Sequence, residues 1–183
     1  SSDVCSSDLP TEMAGRNWMM RRFIVESIKN DPAWMNGEYT EQPKSAKFAH
    51  VFFSIATNGG HFGHYKAAPT RALADASIEK RMAEPFDADA NDFIYGWESS
   101  RDYNPAPGLE KIKAALLAIN SEDDERNPAQ PPILQTQIKR VKNGRALIIP
   151  ASEETIGHST TGNARFWKKE LEVLLRDTPR ASQ

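Results

Sequence analysis

The sequence predicts an α/β fold in which a helical segment precedes a short strand-helix-strand-helix unit. In the first hundred residues apolar side chains recur at helical spacing, without the alternation typical of strands. Beyond residue 108, two short apolar runs are each bounded by polar turns, as expected for strands buried on both faces. Because a helical pattern follows each run, we expect two parallel strands joined by a crossover helix.

Four helices are expected in the helical segment, residues 10–108. They run from Thr11 to about Asn30, from Lys44 to Ala56, from Pro69 to the residue before Pro85, and from Asp89 to Trp97. The Gly-rich stretch TNGGHFGH is predicted to break the pattern after the second helix. Its His61 and His64 form a His-x-x-His pair without a third ligand, so we expect a polar turn and no metal site.

Residues 109–183 are predicted to form the βαβα unit. The strands are expected at Ala114 to Ile119 and Arg145 to Pro150, and the helices at Ile133 to Val141 and Asn163 to Arg176. Two parallel strands alone leave edges and apolar faces uncovered. We therefore expect the unit to be completed by upstream sequence, which makes this chain a fragment.

The first nine residues, SSDVCSSDL, differ in composition from the rest of the chain. The string matches one reading frame of a widely used sequencing adaptor, so we expect an artefactual tail, residues 1–9, that packs against nothing. It contains Cys5, the only cysteine of the chain. The remainder therefore has no thiol to act as nucleophile or disulfide partner.

Composition excludes several classes of partner. The chain has 183 residues, of which 39% are hydrophobic and 26% charged, and its net charge is −2. Because basic residues are scattered among acidic ones, we expect binding neither to nucleic acid nor to an anionic membrane surface. No apolar run approaches the roughly 20 residues that cross a bilayer. The cellular compartment is left open.

Polar residues that could carry chemistry follow both predicted strands. The first strand is followed by Ser121-Glu122-Asp123-Asp124, and the second by a loop that ends in Gly157-His158. An acid after one strand and a histidine after the next is the chain order of the α/β-hydrolase triad, whose serine lies further upstream. In such a triad the imidazole takes the serine proton, and the carboxylate fixes the tautomer of the imidazole.

Each of these signals is weak when taken alone. A surface Asp pair is more often turn chemistry, and a lone Gly-His is more often part of a loop than a base. The combination, the order and the spacing favour the catalytic interpretation. The serine itself is missing, because no Gly-x-Ser-x-Gly occurs, and Ser121 and Ser152 lie in the acid and histidine loops.

Four segments resemble the homoserine O-acetyltransferase family of α/β-hydrolases. The segments NDPAWMNGEYTEQP and FDADANDFIY are similar to parts of the family's lid. GLEKIKAALLAINSEDDERNP is similar to its acid loop, and IPASEETIGHSTTGNARFWKKELEVLL to its histidine loop and last helix. The resemblance covers nearly all of residues 10–176, so the expected fold is the C-terminal part of an α/β-hydrolase preceded by a helical lid.

The resemblance implies a role for several residues. Asp124 matches the triad acid by its distance to Pro128, with Asp123 as the alternative, and His158 matches the triad base. Residues 10–108 would be the lid over the acyl pocket and a possible homodimer contact. No cofactor is expected, although acetyl-CoA is a possible acyl donor. The implied activity is acyl transfer or ester hydrolysis through a serine acyl-enzyme, and this chain alone is expected to be inactive.

Two departures bear on the substrate. Glu98 stands where acetyltransferases commonly have a basic residue that helps to hold the amino-acid substrate, and Ser159 replaces an Asp after the histidine. Both are compatible with the acyl-serine mechanism, but they make an esterase nearly as good an interpretation as a homoserine acetyltransferase. The alternative from another class is a non-catalytic α/β-hydrolase relative that binds or scaffolds. An upstream Gly-x-Ser-x-Gly would decide for the enzyme.

Overall fold

The computed structural model describes residues 9–178, so eight of the nine adaptor-like residues lie outside the described part of the chain. The described residues form seven α-helices and two strands. The elements are α1 (Gly15–Lys29), α2 (Lys44–Thr57), α3 (Gly60–Ala67), α4 (Arg71–Ala83), α5 (Ala90–Glu98), β1 (Leu116–Ser121), α6 (Ile133–Gln137), β2 (Gly144–Ile149) and α7 (Lys168–Asp177). No helix among residues 9–178 is long and apolar enough to span a membrane.

The chain divides into two compact units. The helical unit contains residues 13–57 and 64–103, and the sheet unit contains residues 9–12, 58–63 and 104–178 of the described chain. The short segment 58–63, which connects two parts of the helical unit in sequence, therefore belongs to the sheet unit.

The helical unit has its core between α1, α2 and α5. Phe53 of α2 meets Trp97 of α5 edge to face, with ring centroids 4.3 Å apart. Thr70 and Asp89 accept hydrogen bonds from backbone N–H groups in the first turns of α4 and α5, and so cap these helices. The buried apolar residues of this core are Ile24, Val25, Ile28, Ala46, Ala49, Phe53, Ala90 and Ile94.

The four helices predicted before residue 108 are confirmed as α1, α2, α4 and α5. The predicted break at TNGGHFGH is confirmed, because α2 ends at Thr57. The polar turn expected at His61 and His64 is wrong, because α3 begins at Gly60, where the backbone reverses with positive φ at Gly59 and Gly60. The predicted start of the last helix at Asn163 is also wrong. The Asn163 side chain accepts a hydrogen bond from Arg165 N and caps a separate 3-10 turn, so α7 begins only at Lys168.

The sheet unit contains the predicted parallel pair of strands. β1 and β2 run in register from Leu116 opposite Gly144 to Ser121 opposite Ile149. The expectation that both strands are buried on both faces is wrong, because most of their residues are half-buried. Among the described residues the sheet has only these two strands. Leu109, Ile138 and Val141 pack against their apolar residues Leu116, Ala118 and Ala146.

Candidate active site

The structure brings the predicted acid and the predicted histidine together. Asp124 and His158 lie in the loops that follow β1 and β2, whose carboxyl ends are adjacent because Ser121 pairs with Ile149. His158 Nδ1 is 2.9 Å from Asp124 Oδ2, although the residues are 34 positions apart in sequence. Both side chains are buried, with 8% and 2% of their surface exposed. The site is thus an imidazole-carboxylate pair largely shielded from water.

The Asp124 carboxylate is held by backbone groups of its own loop. Its Oδ1 accepts hydrogen bonds from Arg126 N at 2.8 Å and Asn127 N at 2.9 Å, which leaves Oδ2 for the imidazole. If Asp124 is the carboxylate of a triad, it can only accept from the ring, which places the shared proton on His158 Nδ1. The other ring nitrogen, Nε2, then has a free lone pair and can act as a base. Among the described residues, no side chain forms a hydrogen bond with Nε2.

Asp123, the alternative acid, contacts the backbone of the histidine loop and not the imidazole ring. Its Oδ2 accepts hydrogen bonds from Thr155 Oγ1 at 2.8 Å and from Gly157 N at 3.3 Å. Its Oδ1 accepts a hydrogen bond from the Ser121 hydroxyl. Of the two neighbouring aspartates, the geometry therefore favours Asp124 as the partner of His158.

The loop that carries His158 is stabilised by its own hydroxyl groups. His158 lies in a 3-10 turn, Gly157–Gly162, preceded by the fully buried Thr155. The Thr160 hydroxyl, also fully buried, accepts a hydrogen bond from Ile156 N at 2.8 Å. These local bonds hold the backbone on either side of the histidine.

Two glycines allow the loops to approach each other closely. Gly157 has a φ of +60°, and a Cβ built on it would lie 2.1 Å from Glu125 Oε2. Gly60 has a φ of +66°, and its Cβ would lie 2.6 Å from both Asp123 Oδ2 and Gly157 N. Both positions need glycine for its backbone conformation and for the space its missing side chain leaves.

Sequence reasoning missed Glu125 and the segment around Gly60. Glu125 Oε1 accepts a hydrogen bond from Gly60 N at 2.6 Å, and its Oε2 accepts one from His158 N at 3.1 Å. In the same region Asn58 Oδ1 accepts a hydrogen bond from Arg126 Nη2 at 3.3 Å. The available signals were the fourth consecutive acid after β1 and the Gly-Gly pair, but nothing in either pattern relates one to the other.

None of the three serines in these loops forms a hydrogen bond with the imidazole of His158. The Ser121 hydroxyl donates to Asp123, and Ser152 Oγ accepts a hydrogen bond from a backbone N–H in its own loop. Ser159 Oγ lies 3.4 Å from Asn58 Oδ1. The described residues thus supply an acid and a base, but no nucleophile paired with the base.

In the helical unit, Glu98 is a paired carboxylate. It forms ion pairs with Arg22 and Arg101, and Arg101 Nε donates to it at 2.8 Å. Partial burial raises the pKa of Glu98, but the hydrogen bond from Arg101 and the positive charges of Arg101 and Arg22 outweigh it, so the pKa lies below its ordinary value. Glu98 is therefore a charged group at ordinary pH.

The two histidines of TNGGHFGH lie on α3 and not in a loop. His64 Nε2 is 3.0 Å from the Ile55 carbonyl oxygen. Within residues 9–178, no cluster of three or more His, Cys, Asp or Glu residues could hold a metal ion.

Several solved structures are similar to the chain. They include a homoserine O-acetyltransferase from Bacillus anthracis (TM-score 0.77, 16% identity, 95% of this chain and 52% of that chain). They also include the acetyl esterase MekB (TM-score 0.64, 16% identity, 91% of this chain and 51% of that chain). A third is MGS-M2, an α/β hydrolase from a Medee basin deep-sea metagenome library (TM-score 0.60, 13% identity, 96% of this chain and 56% of that chain). The chain spans about half the length of these proteins. No protein-family profile matches the sequence, and no curated protein is similar to it. The structural likeness shows that the chain has part of an α/β-hydrolase fold.

Proposed function

We propose that this chain is the acid- and histidine-bearing half of an enzyme that transfers or hydrolyses acyl groups through a serine acyl-enzyme. The observation that carries the proposal is the buried pair of His158 and Asp124 at the carboxyl ends of two parallel strands. Functional groups of open α/β sheets gather at this edge. The chain covers about half of the similar structures, and it contains no Gly-x-Ser-x-Gly. Both observations support a nucleophile that is carried by preceding sequence in a longer protein.

In the proposed reaction His158 moves one proton back and forth. Its Nε2 takes the proton of the serine hydroxyl while the serine oxygen attacks the acyl carbonyl carbon. The tetrahedral intermediate collapses, and the leaving alcohol or thiol takes the proton from Nε2. Water or an acceptor hydroxyl then attacks the acyl-enzyme, gives its proton to Nε2, and the serine recovers a proton when the product leaves. Asp124 stays ionised throughout and stabilises the imidazolium that forms twice.

Glu98 favours water or an uncharged alcohol over homoserine as the acyl acceptor. In the resembling acetyltransferases a basic residue at this place helps to hold an amino acid, whereas here the group is a carboxylate already paired with two arginines. A carboxylate does not attract the carboxylate of an amino acid. We infer that the donor is a small ester or acetyl-CoA and that no bound cofactor takes part. The lid role of the helical unit and a dimer contact through it remain predictions.

The test is activity in the longer protein, that is, this chain together with its serine-bearing segment. Without a base for the serine, His158→Ala is expected to lower kcat for hydrolysis of an acetyl ester by about four orders of magnitude. Lys169→Ala, which removes an exposed side chain of α7 in the sheet unit, is the control and should leave kcat unchanged. Acetyl transfer to homoserine, measured beside hydrolysis, is expected to be the slower reaction.

Retention of more than about a tenth of wild-type turnover by His158→Ala would exclude His158 as the base, because ordinary general-base catalysis contributes more than that. A wild-type longer protein that neither hydrolyses acyl esters nor becomes acylated on a serine would favour the non-catalytic alternative.

A further inference from the structure

Four consecutive acidic residues, Glu122 to Glu125, follow β1, and each one contacts the loop that carries His158. Glu122 Oε2 accepts a hydrogen bond from Ala151 N at 2.9 Å, at the start of that loop. Asp124 contacts the imidazole ring of His158. Asp123 contacts the hydroxyl of Thr155 and the backbone N–H of Gly157. Glu125 contacts the backbone N–H of His158 itself. The catalytic pair uses only the Asp124 carboxylate, so the contacts of the other three need a separate explanation.

Glu125 joins two segments that are far from it in sequence. Its Oε2 accepts from His158 N at 3.1 Å, 33 residues away, and its Oε1 accepts from Gly60 N at 2.6 Å, 65 residues away. Hydrogen bonds to a charged acceptor contribute more than neutral ones, because the charge strengthens the attraction. The carboxylate therefore holds the backbone of His158 against Gly60, the first residue of α3.

The backbone around Glu125 is shaped to receive its carboxylate. The Cβ of any other residue at Gly157 would lie 2.1 Å from Glu125 Oε2, which is much closer than two non-bonded atoms can approach. A second contact, from Gly59 N to the Ile156 carbonyl oxygen at 3.2 Å, joins the same two segments. The space that a side chain at position 157 would need is thus filled by the Glu125 carboxylate.

We propose that Glu125 is a positioning residue that fixes the main chain of His158, so that the imidazole is held from two sides. Asp124 sets the tautomer and the ring orientation, and Glu125 sets the place of the backbone from which the ring projects. A catalytic group must be held to within about 0.5 Å of its productive position. This proposal deepens the acyl-transfer function proposed above and depends on it for its catalytic consequence.

The first test is amide hydrogen exchange in the chain itself, which needs no activity. In Glu125→Gln one of the two N–H groups faces the amide NH₂ instead of an acceptor, so the backbone N–H groups of His158 and Gly60 should together lose protection. We expect exchange at one or both to become at least about tenfold faster, with α1 and α2 unchanged. The matched control is Glu153→Gln, which removes the same charge from an exposed site in the loop that carries His158 and should change neither.

The second test is catalysis in the longer protein, which separates positioning from general stability. Glu125→Gln is expected to lower kcat about 10- to 100-fold with KM within about threefold, since a misplaced base slows the chemical steps without weakening substrate binding. If the wild-type protein has no acyl activity, the proposed function fails, while the exchange result still decides whether Glu125 holds His158.

A third arm keeps the proposal testable if Glu125→Gln unfolds the sheet unit. Gly157→Ala should shift the urea midpoint strongly in the wild-type background and less in the Glu125→Ala background, because removing the carboxylate makes room for the new Cβ. The proposal is overturned if Gly157→Ala costs the same in both backgrounds. It is equally overturned if His158 exchange in Glu125→Gln equals that of Glu153→Gln, or if KM rises while kcat is unchanged.

Discussion

Replacing Asp124 with Asn should change the tautomer of His158 while leaving the fold largely intact. The Asn side-chain oxygen can take the place of Oδ1 and accept from Arg126 N and Asn127 N, which the structure places at 2.8 and 2.9 Å. Its NH₂ group then faces His158 Nδ1 and donates to it. The imidazole must accept at Nδ1 and carry its proton on Nε2, so the nitrogen meant for the serine proton is already protonated.

The size of the effect on stability follows from the two backbone hydrogen bonds. Bonds to a charged acceptor contribute about 1.5–3 kcal/mol and neutral ones about 0.5–1.5 kcal/mol, so each bond loses about 1 kcal/mol when the charge is removed. The free energy of unfolding should therefore fall by about 2 kcal/mol. The effect on catalysis is far larger, about four orders of magnitude in kcat in the longer protein, because the wrong tautomer cannot act as a base.

Nitrogen NMR of histidine-labelled chain measures the tautomer directly, since protonated and unprotonated ring nitrogens resonate in separate regions. The signals of His158 are assigned from their loss in His158→Gln. Asp123→Asn is the control, because Asp123 contacts Thr155 and Gly157 but not the ring. If Asp124→Asn keeps the proton on Nδ1, or if Asp123→Asn moves it, the assignment of the ring partner is wrong.

Two further predictions concern backbone geometry and pH. Gly60→Ala should lower the free energy of unfolding in urea by about 2 kcal/mol or more, because its Cβ would lie 2.6 Å from Asp123 Oδ2 at a φ of +66°; an unchanged midpoint would contradict this contact. The hydrogen bond from Tyr39, with backbone N–H groups of α5, keeps the pKa of Asp89 below its ordinary value. A carboxyl whose pKa is lowered by folding stabilises the folded state fully above its unfolded pKa of about 3.9, and this stabilisation is lost as the pH falls through the folded pKa. Asp89→Asn should therefore make the stability in urea less dependent on pH below about pH 4. Equal acid dependence in both proteins would refute this.

The sequence predicted those parts of the fold that depend on local patterns. Four helices before residue 108 and the parallel strands were found from apolar periodicity, polar turns and capping residues such as Asp89. The helix α3 was missed because Gly59 and Gly60 are normally helix breakers, whereas here they make the reversal from which the helix starts. Asn163 was included in the last helix because its capping of a separate turn leaves no trace in the periodicity.

Chain order and spacing predicted the acid and the histidine of the candidate site, but not the contacts that hold them in place. Chain order pointed to an acid after the first strand and to His158, and the family resemblance favoured Asp124 over Asp123. The structure brings Asp124 and His158 within 2.9 Å. The contact between Glu125 and Gly60 could not be predicted, because it joins positions 65 residues apart and neither residue has a local pattern that requires the other. Such a contact follows from the packing of loops and is visible only in three dimensions.

Asp123, Asp124 and Glu125 contact different groups of the histidine loop because the chain turns between them. The turn formed by Asp124 N and the Ser121 carbonyl, at 3.2 Å, directs successive side chains to different parts of the same loop. The composition of this segment does not determine which carboxylate pairs with His158. The direction of the backbone at each acid determines it. All hydrogen-bond partners of the Asp124 carboxylate lie in the sheet unit. The acid and the base are therefore aligned by contacts within this unit, and what the proposed reaction still requires is a nucleophile within reach of Nε2.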